Sequence, residues 1–239
     1  GETAHRYVLG LYEMLELLTK RYPDLLIEGC SGGGGRFDAG MLYYTPQIWC
    51  SDDTDAIERL SIQHGTSLGY PISSMGSHIS KCPNEQTGRC TPLNTRATVA
   101  MSGTFGYELD VTHMSAVEKE SIRRQIQEFQ KNYDLIQNGD YYRLTDPSDG
   151  NDFHSWEFVS SDGREALLCS VALTLRPNAP GNFLRPKGLQ PDSTYSISDE
   201  FGRIPPMTFP GNVLMNTGIL LPVPKEEYES FRIYVRKCD

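Results

Sequence analysis

The sequence predicts an α/β chain in which the second half of a (β/α)8 TIM barrel is followed by a small antiparallel β-sandwich domain. Strand-type and helix-type runs alternate over residues 1–138, as in consecutive βα units of a parallel barrel. Residues 139–239 instead contain short β-rich runs between turn residues, without a helix-period run. Because a complete barrel takes about 250 residues, residues 1–138 hold only about half of one. We therefore place the domain boundary between residues 138 and 139.

Periodicity and capping residues predict the individual elements in order. Helix-period runs lie at residues 5–22, 54–68 and 115–138. Ser115 and Glu118 form a capping box at the start of the last of these helices. Strand-type runs in the first part lie at residues 25–27, 43–50, 72–78 and 97–106. In the second part the predicted strands are residues 141–144, 153–159, 166–175, 193–197 and 231–235.

Composition narrows the class of protein. Of the 239 residues, 38% are hydrophobic and 22% charged, which suits a globular protein with a substantial core. The net charge of -9 argues against nucleic acid and against anionic membranes as partners. No apolar run approaches the ~20 residues of a membrane span, and the N-terminus lacks a signal pattern. Since residue 1 is Gly, we expect a processed product or a piece of a longer chain.

Cysteine usage bears on the compartment. Six cysteines in a chain of this length do not make a disulfide scaffold. Cys82 and Cys90 bracket a turn-rich loop, and they either form a small disulfide or remain two free thiols. We expect a reducing, cytoplasmic setting and leave secretion open.

A glycine run marks the first candidate site. The apolar run at residues 25–27 leads through Cys30 to four consecutive glycines, Gly32 to Gly35, and then Arg36. Four glycines cost backbone entropy, so a ligand that presses against bare backbone N–H groups would explain them, and a flexible surface loop is the alternative. A nucleotide phosphate loop is disfavoured, because that motif ends in Gly-Lys followed by Ser or Thr.

An acidic segment follows the next predicted strand and marks the second candidate site. Asp52, Asp53 and Asp55 come directly after Trp49 and precede a helix, so helix capping is the simplest explanation. Three carboxylates are more than a cap needs, and an aromatic ring beside carboxylates is a common lining of sugar sites. On the predicted helix, Asp55 and Arg59 are spaced to pair at i, i+4 on an exposed face.

The two segments together resemble the signature of the α-galactosidases of glycoside hydrolase family 36. Residues 30–36 fit Cys-x-x-Gly-x-Gly-Arg, and residues 51–59 fit Ser-Asp-x-x-Asp-x-x-x-Arg. The similarity runs with few gaps from the first residues to the C-terminus. It implies an enzyme much longer than this chain, with an N-terminal β domain and the first barrel strands upstream.

The resemblance also implies roles for individual residues. Retaining glycosidases use two carboxyl groups about 5 Å apart. In the family the acid/base falls on Asp52, which we expect to be buried beside Trp49. The nucleophile belongs to a Lys-Trp-Asp motif that is absent here and would lie upstream. The residues expected to bind the sugar are Cys30, Gly33 and Trp49. The residues expected to support the site without touching the sugar are Arg36, which could pair with Asp38, and Asp53, Asp55 and Arg59.

The expected reaction is the release of terminal α-linked galactose from oligosaccharides of the raffinose and melibiose type. The resemblance implies no metal or cofactor, and a homo-oligomer of the full-length chain. Three alternatives stay open: an α-galactosyl transferase, an α-N-acetylgalactosaminidase on the same scaffold, or an inactive sugar-binding fragment. Outside the motifs, His78 is the one histidine at a barrel-strand end, and Trp156 is expected in the core of the β domain.

Overall fold

Helices and short parallel strands alternate through the first part of the chain. The computed structural model describes residues 1–238. The elements of this part are α1 (Glu2–Arg21), β1 (Glu28–Gly29), α2 (Ala39–Tyr44), β2 (Gln47–Ile48), α3 (Ala56–Ser67), β3 (Gly76–Ser80), α4 (Leu93–Ala100), β4 (Thr104–Glu108), α5 (Ala116–Lys131) and α6 (Tyr133–Asn138). Single 3-10 turns lie at Ile72–Ser74 and Val111–His113.

The four strands of this part are parallel, as the barrel prediction requires. β1 pairs with β2 so that Glu28 lies opposite Gln47, and β3 pairs with β4 so that Gly76 lies opposite Thr104. A parallel bridge between Ile48 and Met75 joins the two pairs. The carboxyl ends of all four strands therefore meet at one edge, where barrel enzymes carry their sites.

Two predicted strands are wrong in part, and at the first of them a side-chain helix cap overrides β propensity. Within residues 43–50, the first residues belong to α2, whose N-cap Asp38 accepts a hydrogen bond from Met41 N at 2.8 Å. Tyr12 also donates to Asp38 at 2.7 Å, which fixes the start of α2 against α1. Only Gln47–Ile48 forms a strand.

The predicted strand at residues 97–106 likewise begins as helix, because residues 97–100 lie in α4. α4 begins after Pro92 and contains Thr98, whose hydroxyl donates to Asn94 O at 2.9 Å and so is satisfied within the helix. The strand begins only at Thr104. Smaller shifts affect residues 72–78, which start with a 3-10 turn, and residues 25–27, since β1 begins at Glu28.

The second part is an antiparallel β domain. Its elements are β5 (Asp140–Arg143), β6 (Phe153–Val159), β7 (Glu165–Ala172), β8 (Phe183–Leu184), β9 (Thr194–Asp199), β10 (Met207–Pro210), α7 (Gly211–Thr217), β11 (Ile219–Leu220) and β12 (Ser230–Lys237). Six strands form one sheet in the order β10-β9-β12-β7-β6-β5, and β8 pairs with β11 in a smaller sheet. The sequence prediction missed helix α7 and the strands β8, β10 and β11. The exact division at residues 138 and 139 stays a prediction.

The large sheet is fixed to the barrel half by a shared core. Trp156 and Phe158 on β6 are buried in one cluster with Met75, Ile79 and other residues of the first part. Val159 faces a second cluster between the large sheet and the smaller sheet. Trp156 is 3% exposed and donates through Nε1 to Ser102 Oγ at 2.6 Å, so its predicted place in the core is confirmed.

The prediction of a long first helix is confirmed by α1. It is 20 residues long, and only Leu15 among its side chains is buried. Across residues 1–238, no helix combines the length and apolar character that a membrane crossing requires.

Strand β6 also carries a buried acid, Glu157, which is 0% exposed. Its Oε1 accepts a hydrogen bond from Lys187 N at 2.6 Å, whereas no group of residues 1–238 bonds to Oε2. Burial raises the pKa of Glu157 to about 8, so the folded chain holds this group protonated at neutral pH.

We predict that Glu157→Gln raises the free energy of unfolding, and more so at higher pH. The pKa of Glu157 is higher in the folded chain than its unfolded value of 4.5. The contribution of the wild-type side chain to the free energy of unfolding is therefore complete below pH 4.5 and is lost as the pH rises to about 8. The amide keeps the acceptor for Lys187 N and does not ionise. In urea unfolding, the free energy of unfolding of the variant should exceed that of the wild type by an amount that grows between pH 5 and pH 8 and reaches about 2–4 kcal/mol.

The matched control is Glu165→Gln, because Glu165 is an exposed carboxylate on the neighbouring strand β7. Its effect should be small at every pH. An advantage of Glu157→Gln that stays constant between pH 5 and pH 8 would contradict the buried, protonated state.

Candidate active site

The glycine run forms a turn at the end of β1. Gly34 N donates to Cys30 O and Gly35 N to Ser31 O, each at 3.1 Å. Ser31, Gly32, Gly33 and Gly34 have φ values of 67°, 66°, 74° and 89°. Four successive residues in the left-handed region are tolerable only where most of them lack a Cβ. The glycines are therefore required by the backbone path itself.

This turn packs directly on the acidic segment. A Cβ atom on Gly33 would lie 2.6 Å from Asp52 N, and one on Gly34 would lie 3.2 Å from Cys50 O. The neighbouring strands make this approach possible, because Trp49 N donates to Gly29 O at 2.8 Å and extends the β1–β2 ladder. The structure thus brings Cys30, Gly33 and Asp52 together, and it opposes the alternative of a loose surface loop.

The three aspartates have separate environments. Asp55 is the N-cap of α3 and accepts from Ile57 N at 2.8 Å. Asp53 accepts from Asp55 N at 2.9 Å and so stabilises the turn before the helix. Asp52 is exposed, and its carboxylate takes no hydrogen bond from residues 1–238. Capping and turn formation account for Asp53 and Asp55 but leave Asp52 without a structural task.

The expected burial of Asp52 beside Trp49 is wrong. Trp49 is 9% exposed, and its ring stacks on His78 with 4.7 Å between centroids. The Arg59 guanidinium lies 4.8 Å from the same ring. His78, which the sequence analysis singled out, therefore packs on Trp49. Its Nδ1 lies 3.6 Å from Glu108 Oε2. Little of the Trp49 ring is left to touch a sugar.

The predicted pair between Asp55 and Arg59 does not form, and neither side chain is exposed. Arg59 is 3% exposed and donates to Ser51 O at 3.2 Å and to Gly76 O at 2.6 Å, so it ties the acidic segment to β3. Asp55, 2% exposed, pairs instead with Arg89 at 2.7 Å and accepts from the Thr87 hydroxyl. Burial opposes ionisation, yet these hydrogen bonds hold the pKa of Asp55 below its usual value.

Arg36 also differs from expectation, because it does not pair with Asp38. Its Nη1 reaches the Tyr7 hydroxyl at 3.5 Å, whereas Asp38 is engaged by Tyr12 and Met41. The side chain therefore braces the glycine turn against α1 at most weakly.

The loop between Cys82 and Cys90 contacts the acidic segment, and the sequence did not predict this contact. Both cysteines are free thiols, so the disulfide alternative is not adopted. Gln86, Thr87 and Arg89 all reach residues 52–58. No spacing signal marks such contacts, because the partners are some thirty residues apart in sequence. Within residues 1–238, no group of three or more His, Cys, Asp or Glu side chains is placed to share a metal ion.

A side-chain-free turn packs against the backbone of Asp52 at the carboxyl edge of parallel strands, which is the edge where (β/α)8-barrel proteins carry their sites. The chain belongs to the melibiase family, whose sequence profile matches residues 1–139. The glycosyl hydrolase family 36 C-terminal domain profile matches residues 153–235. These matches confirm the resemblance seen in the two motifs.

Named relatives are similar over nearly the whole chain. The bifunctional alpha-galactosidase/sucrose kinase AgaSK of Mediterraneibacter gnavus is 50% identical over 97% of this chain, which covers 24% of that protein. Alpha-galactosidase AgaA of Geobacillus stearothermophilus is 48% identical over 96% of this chain, which covers 30% of that protein. This chain therefore spans less than a third of the length of these two relatives.

Solved structures confirm the fold. A variant of AgaA from Geobacillus stearothermophilus in complex with raffinose has a TM-score of 0.93 and 46% identity, over 99% of this chain and 32% of that one. A variant of the same enzyme in complex with stachyose matches with the same TM-score of 0.93. The predicted barrel portion followed by an antiparallel β domain is thus confirmed, and the names of these relatives do not favour the alternative activities.

We predict that Gly33→Ala destabilises the protein more than Gly32→Ala. Both positions have positive φ, so the backbone strain of alanine is similar, but only at Gly33 would the Cβ meet Asp52 N at 2.6 Å. At Gly32 nothing lies within 4 Å of the added carbon. Calorimetry should give a Tm for Gly33→Ala about 3–8 °C below that for Gly32→Ala. Equal Tm values for the two variants would show that the turn does not press on the acidic segment.

Proposed function

We propose that the protein carrying this chain is a retaining α-galactosidase that releases terminal α-linked galactose from oligosaccharides of the raffinose and melibiose type. The observation that carries this proposal is that the backbone of Asp52 packs against Gly33 in the turn after Cys30, while the Asp52 carboxylate is exposed and unbonded within residues 1–238. Membership of the family and the α-galactosidase names of relatives support the same reaction. The raffinose and stachyose complexes of structural neighbours support the substrate class.

Asp52 is proposed as the general acid and then the general base. In the first step a second carboxylate attacks the anomeric carbon, the glycosidic C–O bond breaks, and the Asp52 proton moves to the departing oxygen. In the second step Asp52 takes a proton from water, whose oxygen displaces the carboxylate and frees galactose. The sequence contains no Lys-Trp-Asp, so we place the nucleophile in a segment upstream of residue 1.

Cys30 and Gly33 are proposed to contact the galactose near its 2-hydroxyl group. By resemblance to the family, we expect a 2-acetamido group to clash with this turn, which favours galactose over N-acetylgalactosamine. Trp49 borders the sugar only through the small part of its ring that is exposed. Arg59, with Asp53 and Asp55, holds the backbone of the acidic segment, and Arg36 makes a smaller contribution through the glycine turn.

The setting of the enzyme is part of the same proposal. All six cysteines are free thiols, which supports a reducing compartment such as the cytoplasm. The net charge of -9 supports a small neutral ligand over nucleic acid or anionic membrane. Homo-oligomerisation of the full-length protein is proposed from the family alone.

In the full-length protein, we predict that Asp52→Asn abolishes turnover of raffinose, lowering kcat/KM at least ~10³-fold. The amide keeps the shape of the side chain but cannot deliver a proton. Asp53→Asn is the matched control, because its oxygen still accepts the hydrogen bond from Asp55 N and most activity should remain. Galactose release, followed by a coupled assay, measures both. Equal losses in the two variants, or an active Asp52→Asn, would refute the assignment.

The same assay separates the substrates. We expect the wild-type protein to hydrolyse nitrophenyl α-galactoside and to leave the 2-acetamido analogue intact, because the glycine turn faces the 2-position. Comparable rates on both compounds would contradict the placement of Cys30 and Gly33. Transfer of galactose to an added acceptor sugar in preference to water would instead favour a transferase.

A further inference from the structure

A short loop after β3 is built as a rigid unit beside the acidic segment. It comprises residues 84–89 and is closed by hydrogen bonds of 2.9 Å from Asn84 N to Arg89 O and from Gly88 N to Asn84 O. The buried Asn84 side chain accepts from Gln86 N at 2.9 Å and from Thr87 N at 3.0 Å. Hydrogen bonds within the loop therefore fix its shape.

Gln86 projects its carboxamide from this loop onto the backbone around Asp52. Its Nε2 donates to Asp52 O at 3.0 Å, and its Oε1 accepts from Thr54 N at 3.0 Å. The segment belongs to neither a strand nor a helix, so these two groups have no partners from regular secondary structure. The Gln86 side chain thus binds the backbone carbonyl of Asp52 and the backbone N–H of Thr54, which lie on either side of Asp53.

Contacts with the start of α3 anchor the loop and so restrict the position of Gln86. Thr87 donates to Asp55, and Arg89 pairs with Asp55 at 2.7 Å and with Glu58 at 3.1 Å. Asn84 Nδ2 adds a bond to the Thr54 hydroxyl at 3.0 Å. The side chain of Gln86 is therefore held between an ordered loop and an ordered helix terminus.

Asp52 is in this way positioned through its backbone alone. Gly33 packs against Asp52 N on one side, and Gln86 bonds Asp52 O. The carboxylate itself is exposed and has no partner among residues 1–238. Its direction therefore depends on how firmly the peptide groups beside it are held.

We propose that Gln86 is a positioning residue for Asp52, because its carboxamide bridges Asp52 O and Thr54 N and so aims the acid at the departing oxygen. This inference rests on the proposed function. Gln86 does not touch the sugar, so it acts on proton delivery and not on galactose binding. Its loss should matter most for substrates whose leaving group needs a proton.

The test compares two substrates that share galactose but differ in leaving group. Raffinose expels a sugar hydroxyl, which needs protonation, whereas nitrophenyl α-galactoside expels a phenolate, which needs little. In the full-length protein, Gln86→Leu should lower kcat/KM for raffinose about 10–100-fold and that for the nitrophenyl compound no more than ~3-fold. The raffinose loss should lie in kcat, with KM nearly unchanged. Gln86→Glu keeps the acceptor for Thr54 N but loses the donor to Asp52 O, and it should show an intermediate loss.

Glu85→Gln is the control from the same loop, since Glu85 is exposed and, among residues 1–238, pairs only with Lys81 at 2.8 Å. It should leave both substrates unaffected. Equal losses on the two substrates in Gln86→Leu, with or without a lower Tm, would overturn the positioning role. So would unchanged turnover of raffinose. A wild-type protein that hydrolyses neither substrate would instead refute the proposed function.

Discussion

The arrangement of this site depends on the parallel pairing of β1 with β2. Because the two strands run side by side, the chain leaves both at the same edge, and Trp49 N bonds Gly29 O as the last rung. The turn at Gly33 then lies against Asp52 N with no room for a Cβ. A slip of the register would separate the glycine turn from Asp52. The glycines are thus needed twice, once for their left-handed backbone and once for the close approach.

The acidic segment shows how three neighbouring carboxylates acquire different tasks. Asp55 is buried, caps α3 and has a charged partner in Arg89, so it remains ionised. Asp53 completes the turn by accepting from Asp55 N. With these structural requirements met by its neighbours, Asp52 is free to present its carboxylate outward. A buried ion pair costs desolvation and is rarely retained for stability alone. Here it fixes the loop and the helix start that flank Asp52.

Much of this could be predicted from the sequence, but only where the signal was local. The capping box at Ser115 gave the start of α5 correctly, and the two motifs gave the barrel edge, whereas the single helix predicted over residues 115–138 divides at Asn132 into α5 and α6. Strand propensity failed at residues 97–100, since Thr98 satisfies its hydroxyl inside a helix that the sheet domain covers. The partner of Asp55 could not be predicted either. An i, i+4 spacing favoured Arg59, whereas the loop after β3 brings in Arg89, which is 34 residues from Asp55 in the sequence. Such contacts depend on tertiary placement, which residue spacing does not encode.

The β domain is connected to the barrel half by a series of buried side chains whose hydrogen bonds run from Trp156 to Ser51, the residue before Asp52. Trp156 on β6 donates to the Ser102 hydroxyl, and Ser102 O accepts from Gln63 on α3 at 3.1 Å. Gln63 Oε1 in turn accepts from Arg59 at 3.3 Å, and Arg59 donates to Ser51 O at 3.2 Å. Each of these four side chains is buried, so an unpaired member would be costly to leave in place. The sheet therefore stabilises the position of α3, and α3 holds the backbone directly before Asp52.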